Sequence, residues 1–176
     1  MTQKGHVSMS ELLARIEPTP TVPFAGNGVT VTSAPPMARF SLRARKATDL
    51  EKLLGVSVPQ KIGTMQSGVM CLGPDEWLML APHGTKIADG AGLSLAVTEV
   101  SDRNVAILLD GPRAASVLAA GCALDFDHFE VGRATRTIFE TVESIVVREA
   151  AERFHVEVWR SFAPWLWTAF VTVAAE

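Results

Sequence analysis

From Phe40 onward apolar and polar side chains alternate. Phe40, Leu42 and Ala44 fall on one face of an extended segment and Ser41, Arg43 and Arg45 on the other, the period-two pattern of a half-buried strand. Thr48 is the expected cap of a helix over 49–54 that ends at Gly55, where the missing Cβ suits a left-handed C-terminal cap. Val69-Met-Cys-Leu72 and Trp77-Leu-Met-Leu80 flank Gly73-Pro-Asp-Glu76, whose proline and glycine predict a tight turn and so a hairpin. The second half repeats this order. Asn104-Val-Ala-Ile-Leu-Leu109 predicts a buried strand, Gly111-Pro-Arg breaks it, and a helix over 114–120 is closed by Gly121. Three alternating runs follow, at 134–139, 144–148 and 154–159, predicted as neighbouring antiparallel strands. Ser161 is the expected cap of a last helix, with Pro164 in the first turn, where a missing amide proton costs little.

Setting Phe40 against Val105, and Gly55 against Gly121, gives an offset of 65 or 66 residues, each followed by a hairpin of strands. The order reads as an internal duplication. The expected fold class is α+β, built from duplicated strand-helix-strand-strand units with antiparallel sheets and helices on one face. The expected organisation is an N-terminal helix and proline-rich arm over 1–37, then one domain over 38–176 made of pseudo-repeats at about 38–101 and 102–176. Within the arm, Ser8-Met-Ser-Glu11 is a capping box and Leu12, Leu13 and Ile16 give a short helix its apolar face until Pro18 stops it. Five of the ten prolines stand at 18, 20, 23, 35 and 36, which favours extended chain. Two readings fit this arm, a loose extension and a strap laid on a partner subunit.

Composition narrows the function classes. The 176 residues are 48% apolar and 20% charged, so a folded body with a sizeable core is expected and extensive disorder is excluded. A net charge of −3 gives no broad basic footprint for nucleic acid or anionic lipid. No apolar run approaches the roughly 18 residues that span a bilayer, and the first residues lack the apolar segment of a secretory signal. The chain is read as cytoplasmic, with Cys71 and Cys122 as reduced, buried thiols.

The familiar catalytic and cofactor motifs are missing. No G-x-G-x-x-G follows a strand, and no P-loop, G-x-S-x-G, H-E-x-x-H or paired C-x-x-C is present. The expected catalytic, cofactor-binding and metal residues are therefore none. Cys122, Asp125, Asp127 and His128 form the one local cluster of possible metal ligands, but Leu124 and Phe126 point to the core and leave the carboxylates in solvent. Asp75 and Glu76 read as turn formers, Arg43, Arg45 and Lys46 as a solvated strand end, and Asp102 with Arg103 as a local pair. His6 and His83 are scattered, and His155 alternates with Phe154 and Val156 as a strand residue on the polar face.

The aromatic residues are more informative. Trp159, Phe162, Trp165, Trp167 and Phe170 crowd the last strand and helix. At 3.6 residues per turn, Trp165 and Trp167 are about 200° apart, so one points away from the other. Either the outward ring forms a protein contact or the set is buried under the sheet or the arm. Trp165, Trp167, Phe162 and Arg160 are the candidate interface residues.

Three blocks in order carry a family resemblance: Leu72-Gly-Pro-Asp-Glu-Trp-Leu78; Gly111-Pro-Arg-Ala with Gly121-Cys-Ala-Leu-Asp125; and Arg160-Ser-Phe-Ala-Pro-Trp-Leu-Trp167. From about Phe40 to Phe170 the chain resembles the gamma subunit family of heterotetrameric sarcosine oxidase. It departs from the family in having Ala123 where proline is usual, Phe126 where leucine is usual, and Trp165 near a tyrosine position. The resemblance implies a fold similar to the folate-binding domain of the glycine cleavage aminomethyltransferase. It also implies a cytoplasmic heterotetramer with alpha, beta and delta subunits, which demethylates sarcosine oxidatively to glycine, hydrogen peroxide and formaldehyde or methylenetetrahydrofolate. FAD, FMN and NAD are then held by alpha and beta and zinc by delta, and the gamma chain serves assembly without a cofactor of its own. Two alternatives remain open. One is a tetrahydrofolate-binding one-carbon-transfer domain, for which Asp125 is the nearest candidate carboxylate; the other is a subunit of a related N-methyl amine oxidase.

Overall fold

The structure, a computed structural model, describes residues 16–88, 90 and 92–176. The capping box at Ser8–Glu11, Leu12, Leu13 and His6 lie outside the described residues. Among the described residues eleven strands and three helices follow in order: β1 (Phe24–Ala25), β2 (Thr30–Ser33), β3 (Met37–Ala44), α1 (Ala47–Leu54), β4 (Thr64–Gln66), β5 (Val69–Gly73), β6 (Glu76–Pro82), β7 (Leu95–Glu99), β8 (Asn104–Asp110), α2 (Ala114–Ala119), β9 (Ala134–Phe139), β10 (Val142–Ala150), β11 (Arg153–Trp159) and α3 (Ala163–Ala175). They form a five-stranded sheet in the order β4-β5-β6-β3-β7 and a six-stranded sheet in the order β1-β2-β8-β11-β10-β9. Every pairing is antiparallel.

The duplication is visible in the connectivity. The run β3-α1-β4-β5-β6 places its strands in the order β4-β5-β6-β3, and the run β8-α2-β9-β10-β11 places its strands in the order β9-β10-β11-β8. Each set is extended beyond its first strand by one that precedes the other set: β7 lies beside β3, and β2 beside β8. The proline-rich segment is thus neither loose nor laid on another chain at β2. Val31 pairs with Leu109, and Val29 and Val31 are buried. The Asn27 amide donates to the Ala174 carbonyl at 2.9 Å, and Arg113 donates to the Asn27 carbonyl at 3.1 Å. Thr30, Val31 and Thr32 are β-branched, and the docked edge gives them the cover that a free arm lacks.

Period-two alternation divides each sheet into two faces. One face of the smaller sheet, with Phe40, Leu42, Val69 and Trp77, packs on Leu50 of α1. The equivalent face of the larger sheet, with Ile107, Leu109, Val146, Phe154 and Val156, packs on Val117 and Leu118 of α2 and on Leu166, Trp167 and Phe170 of α3. The opposite faces meet each other through Met70, Leu78, Leu80, Ala134, Ile145 and Val147. The central polar positions of β3 and β11, Arg39, His155 and Glu157, therefore face a second sheet instead of water.

Helix ends differ in part from expectation. Gly55 caps α1 in the left-handed conformation with φ 69°, but its N-cap is Lys46, without a side-chain bond, in place of Thr48. Likewise Phe162 precedes α3 where Ser161 was expected, and Pro164 sits in the first turn as read. The helix α2 closes on Ala120 in ordinary right-handed geometry, so Gly121 is not a left-handed cap. Its small size serves packing: a Cβ there would lie 2.6 Å from Cζ of Phe139. Gly121→Ala is expected to cost about 1–3 kcal/mol through overpacking, measured as a lowered urea midpoint with an unchanged m-value.

Candidate functional site

A chain of ionised side chains runs between the two sheets. Arg39, central in β3, points to the larger sheet because Ala38 and Phe40 take the helix-covered face. Glu157 and His155 in β11 point back at it because Phe154, Val156 and Val158 take theirs. Arg39 donates from Nε and Nη2 to the two Glu157 carboxylate oxygens at 2.7 and 3.0 Å, and from Nη1 to the Met37 carbonyl at 3.1 Å. His155 Nε2 lies 2.8 Å from Glu157 Oε1, and its Nδ1 3.4 Å from Glu149 Oε1. Glu149 accepts from Arg153, which reaches Asp110 at 3.4 Å. Arg39, His155 and Glu157 are all buried.

Burial draws the His155 imidazolium down, but its hydrogen bonds to Glu149 and Glu157 and their charges outweigh it, and the group is pushed up to about 9. Burial raises Glu157, yet His155 and Arg39 together hold its carboxyl below the usual range. Paired and buried, the cluster joins the two sheets. His155 is a strand residue on the polar face, and that face is covered by the smaller sheet.

The other candidate groups separate. Asp75 pairs with Arg43 at 3.0 Å, while Glu76 bridges Arg43 at 3.3 Å and Arg136 of β9 at 2.6 Å, so the Arg43 cluster ties the sheets at their edge. The hydrogen bond from Arg136 holds the Glu76 carboxyl down despite partial burial. Arg103 donates to Asn104 Oδ1 and lies 5.9 Å over the Trp159 ring. Cys122 is buried with Sγ 3.4 Å from Thr137 Oγ1. Asp125 sits on an exposed turn, accepting the amides of Asp127 and His128 and pairing with the His128 ring at 2.7 Å. That hydrogen bond lowers Asp125 and raises His128. A carboxylate so placed lines no deep pocket for a pterin. Among the described residues, no group of three or more His, Cys, Asp or Glu side chains is arranged to hold a metal. No helix among them is long and apolar enough to cross a membrane.

The candidate interface residues gather at the start of α3. Trp167 points inward and is 8% exposed, whereas Trp165, Phe162 and Trp159 are 42%, 45% and 46% exposed. The Trp159 and Phe162 rings lie 6.3 Å apart. Trp165 meets Phe139 edge-on at 6.5 Å. Arg160 reaches back to the arm, donating to the Ile16 carbonyl and lying 3.9 Å from Glu17. Exposed aromatic surface on such a small body marks a protein contact more often than a catalytic pocket.

Duplicated antiparallel sheets with helices on their outer faces define the class, an aminomethyltransferase-like α+β fold. A glycine cleavage system aminomethyltransferase T from Bartonella henselae has this fold, with TM-score 0.65 and 16% identity over 86% of this chain and 48% of that one. The chain belongs to the sarcosine oxidase, gamma subunit family, whose model matches residues 42–176. It is 29% identical over 119 residues to a sarcosine oxidase subunit gamma from Arthrobacter sp., covering 61% of this chain and 59% of that one. The same subunit from Corynebacterium sp. (strain P-1) is 27% identical over 143 residues, covering 72% and 70%. A chain in the heterotetrameric sarcosine oxidase from Corynebacterium sp. U-96, in complex with pyrrole 2-carboxylate, superposes with TM-score 0.74 and 26% identity over 84% of this chain and 86% of that one.

Proposed function

We propose that the chain is the gamma subunit of a cytoplasmic heterotetrameric sarcosine oxidase and acts in its assembly. The observation that carries this reading is the near end-to-end likeness to a chain of such a heterotetramer. Family membership over three quarters of the sequence supports it. The alpha, beta and delta subunits are the partners, with FAD, FMN and NAD on alpha and beta and zinc on delta. The complex converts sarcosine, oxygen and water to glycine, formaldehyde and hydrogen peroxide, with tetrahydrofolate as an alternative acceptor of the one-carbon unit. This chain supplies no reacting group. Its contribution is a rigid pair of sheets, locked by Arg39 and Glu157, that presents Phe162, Trp165 and Arg160 to another subunit while Trp167 fixes the helix beneath them.

Co-expression of the tagged chain with the three partners tests the proposal. The expected preparation is yellow, with flavin absorbance and sarcosine-dependent peroxide formation, while the chain purified alone is colourless and does not bind tetrahydrofolate. Saturable tetrahydrofolate binding by the isolated chain, with no subunit retained through the tag, overturns it.

A further inference from the structure

A small cavity lies between the arm and the buried ionic cluster. Its volume is about 200 Å³, and Glu17, Thr19 and Thr21 of the arm line it together with Ser33 of β2 and Arg39 of β3. Alternate arm residues turn into it, and Pro36 and Ala106 are part of its apolar wall. Exposure falls from mouth to floor. The Glu17 side chain is 43% exposed, Thr19 is 7% exposed and Arg39 2%.

The floor offers donors. A guanidinium carries five N–H groups, and Arg39 commits three of them to Glu157 and the Met37 carbonyl, which leaves two. Charge at the floor is also unbalanced. Among the described residues the buried ions are Arg39, His155 and Glu157, so two cations share one buried carboxylate, whose Oε1 meets both Arg39 Nη2 and His155 Nε2. Glu149 meets the opposite edge of the His155 ring, away from Arg39. A second anion beside Arg39 offsets the excess.

The mouth offers acceptors. Ser33 Oγ lies 2.6 Å from Thr19 Oγ1 and 2.8 Å from the Pro20 carbonyl. A carbonyl can only accept, so the single Ser33 proton goes to Pro20 and the Thr19 proton to Ser33 Oγ, which leaves lone pairs on Thr19 Oγ1. The Glu17 carboxylate, 3.9 Å from Arg160, adds negative charge at the rim.

We propose that this cavity binds a small α-amino acid as its zwitterion, the carboxylate on the two remaining Arg39 N–H groups and the ammonium on Thr19 Oγ1 and the Glu17 carboxylate. Glu17 disfavours a simple anion and Arg39 a simple cation. Sites for drug-sized ligands occupy about 300–1,000 Å³, so this smaller one takes glycine or its N-methyl derivative, sarcosine, and no amino acid with a long side chain. On the subunit reading these two are the product and substrate of the complex, but the site is built from this chain alone.

Nuclear magnetic resonance of the isotope-labelled full-length chain tests this, with glycine, sarcosine, acetate and methylamine as probes. The expected result is saturable movement of the Thr19, Ser33 and Ala106 amides and of the Arg39 Nε–H with glycine, sarcosine or both. Acetate and methylamine each lack one charged hydrogen-bonding end and are expected to bind about ten-fold more weakly. Glu17→Gln changes an exposed rim position whose ion pair contributes little. It is expected to keep wild-type melting, to weaken amino-acid binding about ten-fold and to leave acetate binding undiminished. A damaged fold would weaken both kinds of probe alike.

Absence of saturable movement with either amino acid overturns the proposal, as does a drift of resonances over the whole chain in proportion to solute concentration. Acetate that binds as tightly as the amino acids, or Glu17→Gln that binds them as wild type does, reduces the cavity to an anion site and overturns the assignment. Binding that appears only once residues 1–15 are removed gives the cavity to the chain's own N-terminus and overturns it too. The subunit reading survives each of these results, since copurification of the partners decides it separately.

Discussion

Replacing Glu157 by leucine is expected to lower the free energy of unfolding by about 3–5 kcal/mol, because the Arg39 guanidinium is then buried between the sheets without a countercharge. Adding Arg39→Met is expected to recover most of that loss, since two apolar side chains of similar size fill the same space without stranding an ion. A double-mutant cycle by urea unfolding separates these effects, and equal losses in the single and double variants would contradict the assignment.

The same cluster fixes how stability responds to pH. His155 is raised from 6.5 to about 9, so the stability that its charge contributes is fully present below 6.5 and is lost as pH rises through about 9. The full linkage is about 3 kcal/mol. Glu157 and Glu149 are lowered, so their contribution is present above their unfolded values and is lost as pH falls through the folded ones. Unfolding free energy is therefore expected to be greatest between the unfolded values of the two kinds of group, 4.5 for the glutamates and 6.5 for the histidine. In His155→Gln the alkaline fall should be much shallower, and an alkaline limb unchanged by that substitution would remove the imidazolium from the account.

The second large effect follows from the arm. A chain beginning at Pro36 lacks β1 and β2 and, with them, the buried side chains of Val29 and Val31, a loss of about 3–6 kcal/mol from apolar burial alone. It also exposes the free edge of β8, which includes Val105, Ile107 and Leu109, to pairing with other chains. The expected result is aggregation on warming, together with lost hydrogen-exchange protection in β8. Cooperative melting within a few degrees of the full chain would show that the docked arm contributes little.

The sequence made some of this legible and hid the rest for definite reasons. Alternation identified β3, β9, β10 and β11, the turn at Gly73–Glu76 identified β5 and β6, a continuous apolar run identified β8, and the order of elements revealed the repeat. Alternation says which side chains share a face, but not what covers that face. The pattern therefore carries no mark of the pairing of Arg39 with Glu157, which meet across 118 residues. A signal was present in Val69-Met-Cys-Leu72 and in Ile145-Val-Val147, continuous apolar runs that imply cover on both sides of a sheet. In the arm, the prolines at 18, 20 and 23 obscured the β-branched run from Thr30 to Thr32, which needs the edge of β8 to become a strand. The aromatic cluster was readable as composition, since five aromatic residues lie within twelve positions, but which rings turn inward depends on how α3 lies on the larger sheet.

The exchange of leading strands bears on how the molecule comes apart. β2 precedes the first repeat and completes the sheet of the second, while β7 precedes the second and completes the sheet of the first. It is the arrangement produced when two identical partners, each clasping the other's first strand, are joined head to tail into one polypeptide. Neither half can peel away without tearing a ladder out of its neighbour, so no half-unfolded species is exempt from the full loss. The chain is consequently a single mechanical element that does not yield at its own midpoint.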